Sequence, residues 1–185
     1  MNTTLLLIQL LNGMQLGVLL FLLAAGLTLV FGIMNFVNLA HGSLYMLGAF
    51  VCAAVTQWTG SFILAVILSV PFTGLVGMMV ERVVVRRLYE RDHLEHVLAT
   101  FGLILCFDAG VQWLWGPQGV AIPLPPFLDG RLHIFGSFHF PAYRIVIIVA
   151  GILCAGFLAW LVTRTRMGML IRAGASNRKM VGLLG

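Results

Sequence analysis

The sequence predicts an all-α fold: a polytopic transmembrane helical bundle with a discontinuous helix near residues 35–42. Three observations predict it. Of the 185 residues, 61% are hydrophobic and 9% charged, where soluble domains carry about 25% charged residues. No Asp, Glu, Lys or Arg precedes Glu81. The apolar runs also have the length of a bilayer crossing, about 20 residues per helix.

In chain order, the candidate spans are residues 5–34, 42–58, 62–80, 97–115 and 145–162. The first is long enough to cross with tilt, or to begin with an interfacial turn around Gln9, Asn12 and Gln15. Pro71 falls midway through the third and predicts a kink. A secretory leader needs basic residues before its apolar core, and the first Arg here is Arg82, so the N-terminal run reads as mature protein.

Charge placement orients the spans. "ERVVVRRLYERDHLEH" carries Arg82, Arg86, Arg87 and Arg91, and "TRTRMGMLIRAGASNRKM" carries Arg164, Arg166, Arg172, Arg178 and Lys179. Only Arg131 and Arg144 of the eleven basic residues lie between them. The positive-inside rule makes both segments cytoplasmic and residues 116–144 external. Counting back puts the N-terminus outside too. Trp58, Trp113, Trp115 and Tyr143 then mark the outer interface and Trp160 the inner one. The outer loop holds five of the six prolines and reads as irregular. Cysteines placed at Arg91 and Asp129 should label from opposite sides with a membrane-impermeant reagent; labelling from one side would refute this topology.

The stretch "NFVNLAHGSLYMLG", residues 35–48, interrupts the charge-free region. Backbone at membrane depth must be hydrogen-bonded, so a break persists only where protein or water satisfies it. Asn38 or Ser43 could cap the helix that restarts near Gly42, and Gly42 and Gly48 would admit another helix closely. Two readings fit equally: a broken helix lining a transport path, and a tight interfacial turn between ordinary spans with His41 bonded to a neighbour.

"GLTLVFGIMNFVNLAHGSLYMLGAF" closely resembles the signature region of LivH-type permeases of branched-chain amino-acid ABC transporters, whose Asn-x-Ala-His-Gly stretch matches Asn38, Ala40, His41 and Gly42. "ERVVVRRL" and "TRTRMGMLIRAGASNRKMVGLLG" resemble two further regions of that family. The resemblance runs the whole chain. It implies a single permease domain over residues 1–185, with Asn35, Asn38, His41, Gly42 and Ser43 on the substrate pathway. It also implies a cytoplasmic coupling segment over residues 164–185, with Gly168, Arg172, Ala173, Ala175, Met180, Leu183 and Leu184 meeting an ATPase. The implied partners are a second permease subunit, two cytoplasmic ATP-binding subunits and a periplasmic solute-binding protein. The setting is multi-pass in the inner membrane. The family carries acidic residues where Ser176 and Asn177 stand here, so no ion pair with the ATPase is implied from there. Family members continue through further membrane segments, which implies an N-terminal portion or a truncated product. Close relatives carry urea or short amides, an alternative cargo that the motifs leave open.

The tail has its own physical pattern. From Ser176, the residues Met180, Leu183 and Leu184 share one helix face, with Arg178 and Lys179 beside it. Such a segment suits lipid or a groove on a partner.

Asp108 is the one acid well inside a span, with Gln112 one turn later; a structural role is at least as fitting as a transport one. His93, Glu95 and His96 lack a third metal ligand at recognisable spacing and read as a solvated membrane edge. Cys52, Cys106 and Cys154 read as buried free thiols. No GxSxG element or phosphate loop occurs, so no catalytic, metal or cofactor site is assigned and energy must come from a partner. Two other classes stay open: an intramembrane enzyme using His41 and Asp108, and a non-transporting assembly factor. The sequence pI near 9.7 arises from cytoplasmic loops and not from a nucleic-acid face.

Overall fold

A computed structural model describes residues 3–34, 36–89, 91–122, 131–135 and 138–176. Its elements are α1 (Thr3–Met34), α2 (His41–Thr59), α3 (Phe62–Val83), α4 (His93–Trp115), β1 (Arg131–Phe135), β2 (Phe138–Pro141), α5 (Ala142–Arg164) and α6 (Arg166–Ser176). Among the described residues, four helices are long and apolar enough to cross a membrane: α1, α3, α4 and α5. The all-α transmembrane expectation holds. The fifth expected span, α2, is a 19-residue helix about 28 Å long. It does not reach the hydropathy of the others, because His41, Ser43, Gln57 and Thr59 crowd its ends.

In such helices a hydroxyl has no water to bond, so it turns back on its own backbone. Thr28 donates to the Ala24 carbonyl at 2.8 Å, Thr56 to Cys52 at 2.7 Å and Thr163 to Ala159 at 2.7 Å. Cys106 and Cys154 are exposed on the chain and Cys52 is half-buried, which corrects the expectation of three buried thiols. A thiol is apolar enough to face lipid.

The chain divides into two compact units, Met1–Met34 with Pro126–Gly185, and Asn35–Pro125. The second is built on the α2–α3 hairpin. Gly60 closes α2 in the left-handed region at φ 68°, with its N–H on the Thr56 carbonyl at 2.9 Å. Ser61 then caps α3 by accepting the Leu64 N–H. The returning helices meet through small residues. A Cβ on Gly48 would lie 3.0 Å from Thr73 Oγ1, and one on Gly77 would lie 3.7 Å from Leu44. The same four-residue step sets Cys52 level with Ser69 and Thr56 with Ala65. Of these, Thr56, Ser69 and Ala65 are buried. This is the small-residue seam by which membrane helices approach without a hydrophobic drive. Pro71 sits inside α3, which continues through it to Val83.

α4 ties to this hairpin at both ends. At one, Trp115 packs on Phe50 with centroids 5.6 Å apart, and Gln57 Nε2 donates to the Ala121 carbonyl at 3.4 Å. At the other, Phe36 meets Tyr89 and His96.

In the first unit α1 and α5 run parallel. Arg144 donates to Asn12 Oδ1, and Val18 presses on Gly151 a turn or two further along both helices. Between β2 and β1 the pairing is antiparallel, with Arg131 opposite Pro141, Leu132 opposite Phe140 and His133 opposite His139. The outer loop was expected to be irregular; part of it is this ribbon. The sequence there alternates polar and apolar residues, Arg131, Leu132, His133, Ile134, and the register shifts between His133 and Phe135.

Candidate functional site

α1 ends at Met34 and α2 begins at His41, so the expected interruption is present. Asn35 lies outside the described residues. Asn38 Oδ1 accepts the Ala40 N–H at 3.1 Å, which folds the chain into a short turn. The His41 N–H reaches the Asn38 carbonyl at 3.4 Å, and the Ser43 and Leu44 N–H groups share the Ala40 carbonyl. Ala40 is the N-cap, and no side chain caps α2. The expected cap by Asn38 or Ser43 is therefore corrected. Asn38 spends its oxygen one residue too early, and Ser43 lies inside the helix, buried at 7% exposure.

Burial is uneven along the break. Phe36 and Ala40 are buried, Asn38 and His41 half-buried, Leu39 and Gly42 exposed. Nothing stands within 4 Å of a Cβ placed on Gly42, so of the two glycines expected to admit a helix only Gly48 does. His41 makes no side-chain hydrogen bond among the described residues, which leaves its imidazole available beside Asn38.

The depth of the break follows from its contacts. Phe36 packs against Tyr89 and His96, immediately beyond the 3₁₀ turn Val85–Arg87 with Arg86 and Arg87 exposed. The polar residues thus gather at the basic end of this unit and not midway along its helices. Asp108 is half-buried on α4, about 18 Å along that helix from His96 at 1.5 Å per residue. His41 and Asp108 stand at different depths and do not form an acid–base pair.

His96 was read as part of a solvated edge, and this too is corrected: it is 3% exposed. Its Nε2 lies 2.7 Å from the Leu88 carbonyl, and Phe36 covers its ring. His93 and Glu95 do face outward, and Glu95 pairs loosely with Arg91 at 3.8 Å. That exposed pair contributes little. Sequence reasoning missed Phe36, Tyr89 and Glu81 as partners, since nothing in the spacing links Phe36 to Tyr89 and His96 so far along the chain.

At the other candidate region, α6 contains Gly168, Arg172, Ala173 and Ala175 and lies against both α5 and α1. Met169 and Leu170 stay exposed beside Arg172 and Ala173. Met180, Leu183 and Leu184 lie outside the described residues.

The fold defines a membrane-embedded helical protein whose long helices are apolar. The chain belongs to the family described as branched-chain amino acid transport system / permease component, whose model matches residues 9–185. It is 32% identical over 195 residues to the high-affinity branched-chain amino acid transport system permease protein LivH of Salmonella typhimurium, covering 96% of this chain and 61% of that protein. It is 30% identical to LivH of Escherichia coli K12 and to BraD of Pseudomonas aeruginosa, with the same coverage of 96% and 61%. The chain therefore spans under two thirds of the length of these relatives. No solved structure matches it.

Proposed function

We propose that this chain forms part of the membrane permease subunit of an ABC importer for branched-chain or related amino acids, in the inner membrane. Family membership over residues 9–185 is the observation that carries this reading. Asn35, Asn38, His41, Gly42 and Ser43 line the cytoplasmic mouth of the path. An amino-acid path is apolar with a few placed polar groups, and the turn at Asn38 beside an unbonded His41 imidazole supplies such groups. The chain contributes no ATP hydrolysis. It works with a second permease subunit, two cytoplasmic ATP-binding subunits and a periplasmic solute-binding protein.

Residues 164–185 form the coupling segment. α6 brings the chain along the membrane face, and Met180, Leu183 and Leu184 enter a cleft on the ATPase. Two leucines at about 1.5–3 kcal/mol each make Leu183→Ser with Leu184→Ser weaken assembly by orders of magnitude. Arg178→Ala costs far less, because a rim charge is screened. Co-purification of the ATPase with a complete permease carrying each change tests this. Retention with the leucine pair and loss with Arg178→Ala would refute the docking geometry.

A further inference from the structure

Phe36 lies in a stretch without regular structure, yet it is 1% exposed, among the largest fully buried side chains described. Its ring lies 4.4 Å from that of His96, tilted by 42°, and meets Tyr89 edge-on at 6.2 Å. The Tyr89 hydroxyl donates to Glu81 Oε1 at 2.9 Å, anchoring this seat to the end of α3. One α-turn along, fully buried Thr100 donates to the His96 carbonyl at 2.7 Å, so His96 is held by main chain as well.

The tautomer of His96 follows from its partner. A carbonyl oxygen only accepts, so Nε2 carries the hydrogen donated to Leu88, and in the neutral ring Nδ1 keeps its lone pair. That Nδ1 is buried and has no hydrogen-bond partner among the described residues. A buried unsatisfied acceptor is costly, and an apolar ring of the same size would avoid the cost. The site retains imidazole because one flat ring does two things there. Its edge holds the Leu88 carbonyl, which also accepts the Arg91 N–H at 2.9 Å, and its face seats Phe36.

We propose that His96 is a positioning residue, which holds Phe36 and with it the break carrying Asn38 and His41 in fixed register to the turn after α3. The consequence for transport rests on the reading of the break as the mouth of the path. The seat itself does not.

Three measurements on the full chain in lipid nanodiscs test this. Nitrogen-15 spectra of the imidazoles should show His96 protonated at Nε2 and not at Nδ1; the opposite tautomer overturns the proposal without any variant. With the native cysteines replaced, Ala40→Cys, buried at 2% exposure, should react with a maleimide roughly tenfold faster when His96→Ala or Phe36→Ala is added, the size expected for losing one buried hydrogen bond or aromatic pair. The double variant should react no faster than either single. His96→Gln, whose amide N–H can still reach the Leu88 carbonyl, should recover part of the slow rate. Unchanged rates, or fully additive effects, overturn the seat. In a complete permease, faster labelling with undiminished uptake would uphold the seat and refute the assignment of the break to the path.

Discussion

Gly168→Ala is expected to detach α6 from α5. Thr165 is the corner between the two helices, extended at φ −106° and ψ 160°. Its hydroxyl donates to the Leu161 carbonyl at 2.5 Å and accepts the Gly168 N–H at 3.1 Å. One side chain thus ends α5 and caps α6. The turn is so tight that a Cβ on Gly168 would overlap the carbonyl oxygens of Val162 and Leu161. Main chain cannot swing aside as a rotamer does, so the cost falls at the upper end of overpacking, about 3 kcal/mol. That corresponds to roughly a hundredfold loss in the docked population. Amide exchange across α6, beginning with the Met169 N–H that bonds the Thr165 carbonyl, should accelerate by that factor. Gly174→Ala is the control: nothing stands within 4 Å of its Cβ, and alanine favours a helix. Equal exchange in the two variants would show that the corner relaxes and that α6 is not held by it.

The spans were legible because their signal is local. Twenty apolar residues mean a crossing whatever they touch, and α1, α3, α4 and α5 follow the expected runs to within a few residues at most ends. The interruption after Met34 was legible for the same reason, as Asn38 and His41 are conspicuous in a charge-free stretch. What depends on a distant partner was not. His96 looks like a surface residue beside His93 and Glu95, and only Phe36, sixty positions away, shows that it is buried. The helix expected from Ser176 onward lies outside the described residues, and α6 covers Arg166–Ser176 before it. With glycine at 168 and 174 its intrinsic propensity is low, and docking on α5 and α1 supplies what propensity lacks. The β1–β2 ribbon was hidden by the prolines that surround it, although the alternation in residues 131–135 was there to be read.

Gly42 and Gly48 are the same residue six positions apart on one helix, and leucine at each should have opposite effects. Gly48 faces Thr73, whose Oγ1 is buried without a hydrogen-bond partner among the described residues and would lie 3.0 Å from a new Cβ. A whole leucine there must push α2 from α3, costing about 1–3 kcal/mol. Gly42 is exposed with open space around it, so leucine should gain about 0.5–1 kcal/mol of helix propensity. Unfolding of the purified chain in mixed micelles with rising SDS, followed by circular dichroism, should shift downward for Gly48→Leu and not for Gly42→Leu. Gly48→Leu combined with Thr73→Ala should recover part of the loss, because the obstructing oxygen is then gone. Equal destabilisation by both leucines would mean that Gly42 is packed against something and would refute the open face assigned to it. The same pair separates structure from transport. Gly42 is assigned to the mouth of the path, so in a complete permease Gly42→Leu should depress uptake while its stability holds. Gly48→Leu should lose uptake only in proportion to the protein that remains folded.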